Sequence, residues 1–275
     1  MPNSAPFVRV SRVSKVFDGD KAHDAIHVID DVSMDIGAGE FVVYLGPSGC
    51  GKTTLMRIVG GLETATAGGV DLAGERVVGP DRHKGMVFQA YTSFPWLTVY
   101  ENILFGTKYR TDINDTEKAE ISRHYLDLVG LNEFSGFFVN RISGGMRQRV
   151  AIARTLAAGP DILLMDEPFG ALDAQTRDFL QVQLLEICRI EKKAVIFVTH
   201  DVEEAVFLAD RIFIFSARPA TIVEEVPVKD TLPGQRTLET KETEEFFHLR
   251  NHVRNVMLDQ TKATEMIHVP TGDDE

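Results

Sequence analysis

Residues 46–53 read Gly46-Pro47-Ser48-Gly49-Cys50-Gly51-Lys52-Thr53. Gly46, Gly49 and Gly51 free the backbone for turns in which successive N–H groups point at one anion. Lys52 adds a mobile point charge, and Thr53 a hydroxyl of the kind Mg²⁺ accepts. The spacing is G-x-x-x-x-G-K-[ST], a phosphate-cradling loop that requires a strand before it and a helix after it. Phe41–Leu45 supplies an apolar strand, and Leu55, Ile58, Val59 and Leu62 recur at helical spacing up to the pair Gly60-Gly61. The N-terminus of that helix adds its positive field to the loop. Cys50 is read as a small loop residue, because no second thiol lies near it in sequence.

A second cluster follows the apolar run Ile162-Leu163-Leu164-Met165, which ends in Asp166 and Glu167. Adjacent carboxylates at a strand end fit an acidic turn, or a site where Asp166 holds Mg²⁺ and Glu167 orients and deprotonates a water. With a phosphate loop in the same chain, the second reading is favoured. The strand Ala194–Val198 ends in Thr199-His200, so His200 can contact a terminal phosphate or relay a proton. Gln89 follows Met86-Val87-Phe88, and its amide can reach a metal or a water. Taken singly, His200 and Gln89 read equally well as ordinary structural residues.

These side chains need strands to carry them. Val8 and Val10 alternate with Arg9 and Ser11, and Val32, Met34 and Ile36 with polar neighbours, as in half-buried antiparallel strands. Phe41–Leu45, Ile162–Met165, Ala194–Val198 and Ile212–Phe215 are short and wholly apolar, as in strands buried on both faces of a parallel sheet. Residues from about 90 to 158 carry helical periodicities and no β-rich run. The expected class is α/β: a mostly parallel sheet, an N-terminal antiparallel β subdomain and a helical insert. The segment after Ser216 is polar and acidic, with one helical piece near Glu244–Leu258, and is expected to be a solvated end.

The 275 residues are 44% hydrophobic and 25% charged, ordinary for a globular chain with a core. A net charge of -12 argues against nucleic acid and against electrostatic adhesion to anionic lipid. A membrane role would therefore need a protein partner. Cys50 and Cys188 are too few for a disulfide framework. Met1–Val10 lacks an apolar core and a cleavage-like site, so no signal peptide is expected. No apolar run approaches the about 20 residues of a membrane span.

Ile142-Ser143-Gly144-Gly145-Met146-Arg147-Gln148-Arg149 closely resembles the signature motif of ATP-binding cassette (ABC) proteins. Ser143 reads as an N-cap for a helix running to Ala158 and stopped by Gly159-Pro160, so its N-terminus is a second anion site. Asp161–Pro168 resembles the Walker B strand and Gly170-Ala171-Leu172-Asp173 the D-loop. His200 matches the switch histidine and Gln89 the Q-loop. Phe17 resembles the aromatic that stacks on adenine, and reads equally as a core residue.

The resemblance covers roughly Phe7 to Pro219. It implies a P-loop NTPase (RecA-like) core over residues 7–219, with the helical insert inside it and a short acidic extension over 220–275. It implies ATP and Mg²⁺ as cofactors. Residues Gly46 to Thr53, with Thr54, Phe17 and Gln89, would hold the nucleotide. Ser143, Gly144 and Gly145 would address the nucleotide of a second cassette paired head to tail, a homodimer being expected and a different partner cassette left open. Lys52, Glu167 and His200 would be catalytic, and Thr53, Gln89 and Asp166 would hold the metal.

Phe94-Pro95-Trp96-Leu97-Thr98-Val99-Tyr100-Glu101-Asn102 is similar to cassettes of nitrate, sulfonate and taurine importers. That implies an ATPase peripheral to the cytoplasmic face of the cell's inner membrane. Its partners would be permease subunits and, indirectly, a solute-binding protein. Phe94 and Trp96 would line a groove for a permease helix, or Trp96 is local core. Two positions depart from the family pattern. Met146 stands where Gln is usual, and Ala67-Gly68-Gly69 lacks a Pro-containing turn and is expected as a loop. The alternative is a non-transport cassette acting on ribosomes or DNA, which usually has two cassettes or coiled-coil insertions. A metabolic P-loop kinase would leave the signature motif without a purpose.

Overall fold

The computed structural model describes residues 5–19, 24–88, 93–170 and 172–267. Apolar alternation near the N-terminus becomes two long strands, β1 (Val8–Phe17) and β2 (Ile26–Ile36), paired antiparallel. Val8, Val10, Val13, Val32, Met34 and Ile36 are buried, while Arg9 and Asp35 face outward and pair at 3.2 Å. The pairing is interrupted between Val10 and Val13. There Arg12 and Asp31 adopt φ of 48° and 45°, and their side chains meet at 3.3 Å, a bulge that bends the ribbon.

The Ala67-Gly68-Gly69 stretch, expected as a loop, is strand β4 (Ala67–Leu72), antiparallel to β1 on the edge away from β2. The reason is steric. Gly68 has φ 74°, and a Cβ there would stand 2.0 Å from the Arg12 carbonyl oxygen. Only glycine lets a neighbouring strand pass the bulge. A two-residue strand, β5 (Glu75–Arg76), ends the sheet in the order β2-β1-β4-β5.

The chain divides into two compact units. The first comprises Met1–Gly37, Phe41–Val78 and Val198–Glu275, and the second Ala38–Glu40 and Gly79–Phe197. In the first, β3 (Phe41–Leu45) is buried along its length and runs parallel to β9 (Arg211–Phe215), which pairs antiparallel with β10 (Ile222–Val226). Tyr44 is fully buried, with its ring edge-on to Phe213 and Phe215. Helix α1 (Lys52–Val59) follows β3. It is shorter than its apolar spacing suggests: Gly60 caps it, Gly61 turns at φ 72°, and Leu62 is half exposed instead of joining the buried stripe.

In the second unit, β6 (Lys84–Val87) and β7 (Ile162–Asp166) are parallel, and β8 (Ala194–Thr199) lies on the other side of β7. The last two residues of β8 belong to the first unit. Between β6 and β7 come helices α2 (Val99–Gly106), α3 (Asp115–Leu128) and α4 (Gly144–Ala157), and after β7 comes α5 (Ala174–Glu191). Thr98 with Glu101 and Asn114 with Glu117 form capping boxes that fix the starts of α2 and α3. Gly106 lets α2 cross α4 closely, since a Cβ there would stand 2.1 Å from the Arg154 carbonyl oxygen.

The C-terminal segment is not simply a solvated end. After α6 (Val202–Leu208) and α7 (Val228–Thr231), helix α8 (Glu244–Ile267) buries Phe246 and Val253. Lys241 and Arg250 reach Glu203 of α6 at 3.3 and 3.9 Å. Among the described residues, no helix is long and apolar enough to cross a membrane.

Asn102 on α2 is fully buried. Its Nδ2 donates to the carbonyls of Phe94, Leu97 and Thr98 at 3.1, 3.2 and 2.9 Å, and its Oδ1 accepts from Phe94 N at 2.8 Å. One side chain thus closes the Phe94–Thr98 turn. Asn102→Leu strands those groups and is expected to lower stability by about 2–4 kcal/mol. Urea denaturation checks this, and a loss below about 1 kcal/mol removes Asn102 from the role.

Candidate functional site

The first unit carries Phe17, the loop Gly46–Thr53 with Thr54, and His200. The second carries Ser143, Gly144, Gly145, Asp166 and Glu167. Gln89 lies outside the described residues, as does Ala171 of the Gly170–Asp173 stretch.

The loop leaves the buried end of β3 and folds around its own lysine. Lys52 is only 4% exposed, and its Nζ donates to the Gly46 and Pro47 carbonyls at 2.7 and 2.8 Å. Cys50 Sγ lies 3.8 Å from Nζ, so the buried thiol is part of the loop's packing. Helix α1 begins at Gly51 with φ 130° and no side-chain cap, so the positive end of the helix faces the loop. A Cβ at Gly51 would stand 3.0 Å from the Val28 carbonyl oxygen, and one at Gly46 3.0 Å from that of Phe215. Ser48 and Gly49 form the exposed crown. A cradle with an internal ammonium and an uncapped helix start fits a polyphosphate. Thr53, in the first turn of α1, has the hydroxyl that Mg²⁺ on such a phosphate takes.

Phe17 ends β1 with its ring 37% exposed and Lys15 Nζ 4.6 Å from the ring centre. It is therefore not a core residue. His200 is exposed just past β8. Asp201 caps α6 by accepting from Glu203 N and Glu204 N at 2.8 and 3.1 Å. Thr199 Oγ1 donates to buried Glu204 at 2.5 Å and accepts from Asp201 N at 3.1 Å. His200 is thus gripped on both sides by a turn whose signal was available in sequence, Asp201 with Glu204 three residues on.

In the second unit, Asp166 ends β7 and Glu167 follows with φ 43°, a left-handed conformation rare for a residue with a side chain. Such strain, of order 1–3 kcal/mol, clusters at functional positions. Phe169 is fully buried with its ring 5.7 Å from Phe197, which anchors the chain after the carboxylates. Among the described residues, no three His, Cys, Asp or Glu side chains gather as a metal cluster.

Ser143 caps α4, its Oγ accepting from Met146 N at 3.3 Å. Gly145 is buried, and a Cβ there would stand 2.5 Å from Thr176 Cγ2, so glycine permits α4 and α5 to approach. Met146 takes part in the cap through its backbone only. Trp96 is 68% exposed and not local core, whereas Phe94 packs on Phe105 at 4.5 Å with the Arg154 guanidinium 5.1 Å from its ring centre.

Asp173 caps α5 and accepts from Thr176 N at 3.0 Å, a bond that holds its carboxyl below the usual range. A lowered value means that the contribution to stability is complete above about pH 4 and is lost as pH falls through it. Asp173→Asn keeps the cap and removes the titration. Thermal melts between about pH 2 and 7 should show a flatter acid limb for the variant, which is less stable than wild type at pH 7 and converges with it in acid. An unchanged slope removes this assignment.

Comparison with known proteins points to a family. Residues 29–170 match the family described as ABC transporter. The nitrate import ATP-binding protein NrtD of Synechocystis sp. is 42% identical over 265 residues, covering 94% of this chain and 98% of that protein. The taurine import ATP-binding protein TauB of Roseobacter denitrificans is 43% identical over 238 residues, covering 86% of this chain and 88% of that one. A solved ATP-binding cassette, a dimer in a post-hydrolysis state with ADP and Pi, is 32% identical, with TM-score 0.69 over 80% of this chain and 98% of that one.

Proposed function

The chain belongs to the ABC transporter family of ATP-binding proteins, and we propose that it is the ATP-hydrolysing subunit of an importer acting on separate permease subunits. ATP and Mg²⁺ are its cofactors. The observation that carries the reading is the loop with Lys52 folded inside it, at 2.7 and 2.8 Å from two loop carbonyls. Such an ammonium exchanges those acceptors for phosphate oxygens with little new desolvation.

Lys52 and the loop N–H groups of Gly46 and of Ser48 to Thr54 hold the α-, β- and γ-phosphates, with Pro47 shaping the turn between them, and Phe17 stacks on the base. Thr53, Asp166 and Gln89 would hold Mg²⁺, whose charge would offset that of the phosphates. Glu167 takes a proton from the water that attacks the γ-phosphorus. The bond from that phosphorus to the β–γ bridging oxygen breaks, giving ADP and phosphate. His200 holds the γ-phosphate. The start of α4, at Ser143, Gly144 and Gly145, addresses the nucleotide of a second copy, so ATP stabilises the paired state and hydrolysis releases it. Domain limits of 7–219 and 220–275, with the helical insert at about 90–158, suit this reading.

Exposed Trp96, beside Phe94, is the contact proposed for a permease helix. The protein would then sit on the cytoplasmic face of the inner membrane, held by its permease. The solute is proposed as nitrate, sulfonate, taurine or a similar small molecule, in keeping with the named relatives.

Glu167→Gln is expected to reduce ATP turnover about 10²–10⁴-fold, or about 3–5 kcal/mol of barrier, while ATP still binds. Lys52→Ala is expected to weaken ATP binding itself. Phosphate-release assays and calorimetry separate the two. Wild-type turnover in the first variant, or wild-type affinity in the second, defeats the corresponding assignment. Purification of tagged protein from detergent-solubilised native membranes should bring a multi-span permease with it. Recovery of only ribosomal or DNA-associated proteins overturns the import reading.

A further inference from the structure

The phosphate loop is braced from outside at three points, all within the first unit. At Gly46 and Gly51 the brace is close backbone approach, from Phe215 and from Val28. At the crown it is a side chain: Arg218 Nη2 donates to the Gly49 carbonyl at 2.6 Å, across 169 residues of sequence. Arg218 sits on the connection between β9 and β10, which is itself fixed. Ser216 N donates to Thr221 O at 3.0 Å, and Thr221 N to Ser216 Oγ at 2.9 Å. Ala220 N donates to Val28 O at 2.9 Å, and Asp30 N to Ala220 O at 3.0 Å.

The carbonyl that Arg218 holds shares its peptide with the Cys50 N–H. That N–H points to Pro47 O at a long 3.4 Å, on the side where Lys52 Nζ reaches the same oxygen at 2.8 Å. One end of the peptide is therefore held from outside by a guanidinium. The other donates to Pro47 O, which also accepts from Lys52, in a bond weak enough to be exchanged. A cation on the carbonyl polarises the peptide and strengthens its N–H as a donor. Gly49, at φ 73°, supplies the backbone conformation this orientation needs.

We propose that Arg218 is a positioning residue of the phosphate loop: it fixes and polarises the Gly49–Cys50 peptide so that the Cys50 N–H is presented to a nucleotide phosphate. The proposal rests on the ATP-binding reading above. It concerns affinity for the phosphate chain, not the hydrolytic step.

The test measures binding of ATP and ADP to the full chain by calorimetry, and ATPase kinetics, for wild type, Arg218→Met, Arg218→Lys and Lys52→Ala. Arg218 is exposed, so the Met variant should melt close to wild type. The expected result is about five- to tenfold weaker binding of both ATP and ADP by Arg218→Met. KM should rise by the same factor and kcat stay within about twofold, while Arg218→Lys, which keeps the charge and one donor, recovers most of the affinity. If wild type binds neither nucleotide, the proposal falls with the reading beneath it. If wild type binds and Lys52→Ala does not, but Arg218→Met matches wild type or loses only kcat, the proposal about Arg218 alone is overturned.

Discussion

A lysine ammonium leaves water only if acceptors meet its protons, and Lys52 has been taken almost wholly out of water. Its acceptors are the carbonyls of the loop that precedes it. That demand fixes much around it. The loop must curl tightly enough to turn Gly46 O and Pro47 O inward, which requires glycine where neighbouring backbone comes within contact distance. β3 must be buried and stiff enough to deliver the loop at a set height, and Tyr44 between Phe213 and Phe215 supplies that stiffness. An ammonium stored against carbonyls is also prepared for phosphate oxygens, because both are anionic or dipolar acceptors at similar range.

The second unit meets a comparable constraint with backbone alone. At Gly106 and at Gly145 a methyl group would collide with a neighbouring helix. The signature helix α4 is thus pressed by α2 on one side and α5 on another, at positions where side-chain volume is forbidden. Asn102 does for the turn before α2 what Lys52 does for the loop, by satisfying several backbone groups with one side chain.

Much of this was legible in the sequence where the physics is local. Period-two alternation located β1 and β2, apolar runs located β3, β7, β8 and β9, and Ser143 was readable as a cap. The phosphate loop was legible because its residue types answer a single chemical need within eight positions. Less was legible where a partner lies far along the chain. Arg218 meets Gly49 across 169 residues, and no periodicity announces it. The Ala67-Gly68-Gly69 stretch read as a loop because the family pattern has a turn at that place, and the bulge that requires Gly68 lies on another strand. Leu62 obeyed the helical spacing of α1, but Gly60 and Gly61 ended the helix first. The packing of Phe246 and Val253 was hidden by the acidic composition around them.

Glu167 carries one more implication, from its left-handed backbone. A single base change converts a glutamate codon to glycine, the residue that adopts this conformation without cost. Drift under selection for stability alone would therefore run toward glycine, and under the role proposed for Glu167 as the base, selection for turnover holds the strained carboxylate in place. A duplicated copy released from hydrolysis should lose this side chain early. The residue following the β7 aspartate then becomes a fossil marker, separating working motors from paralogues that have kept the fold and given up the reaction.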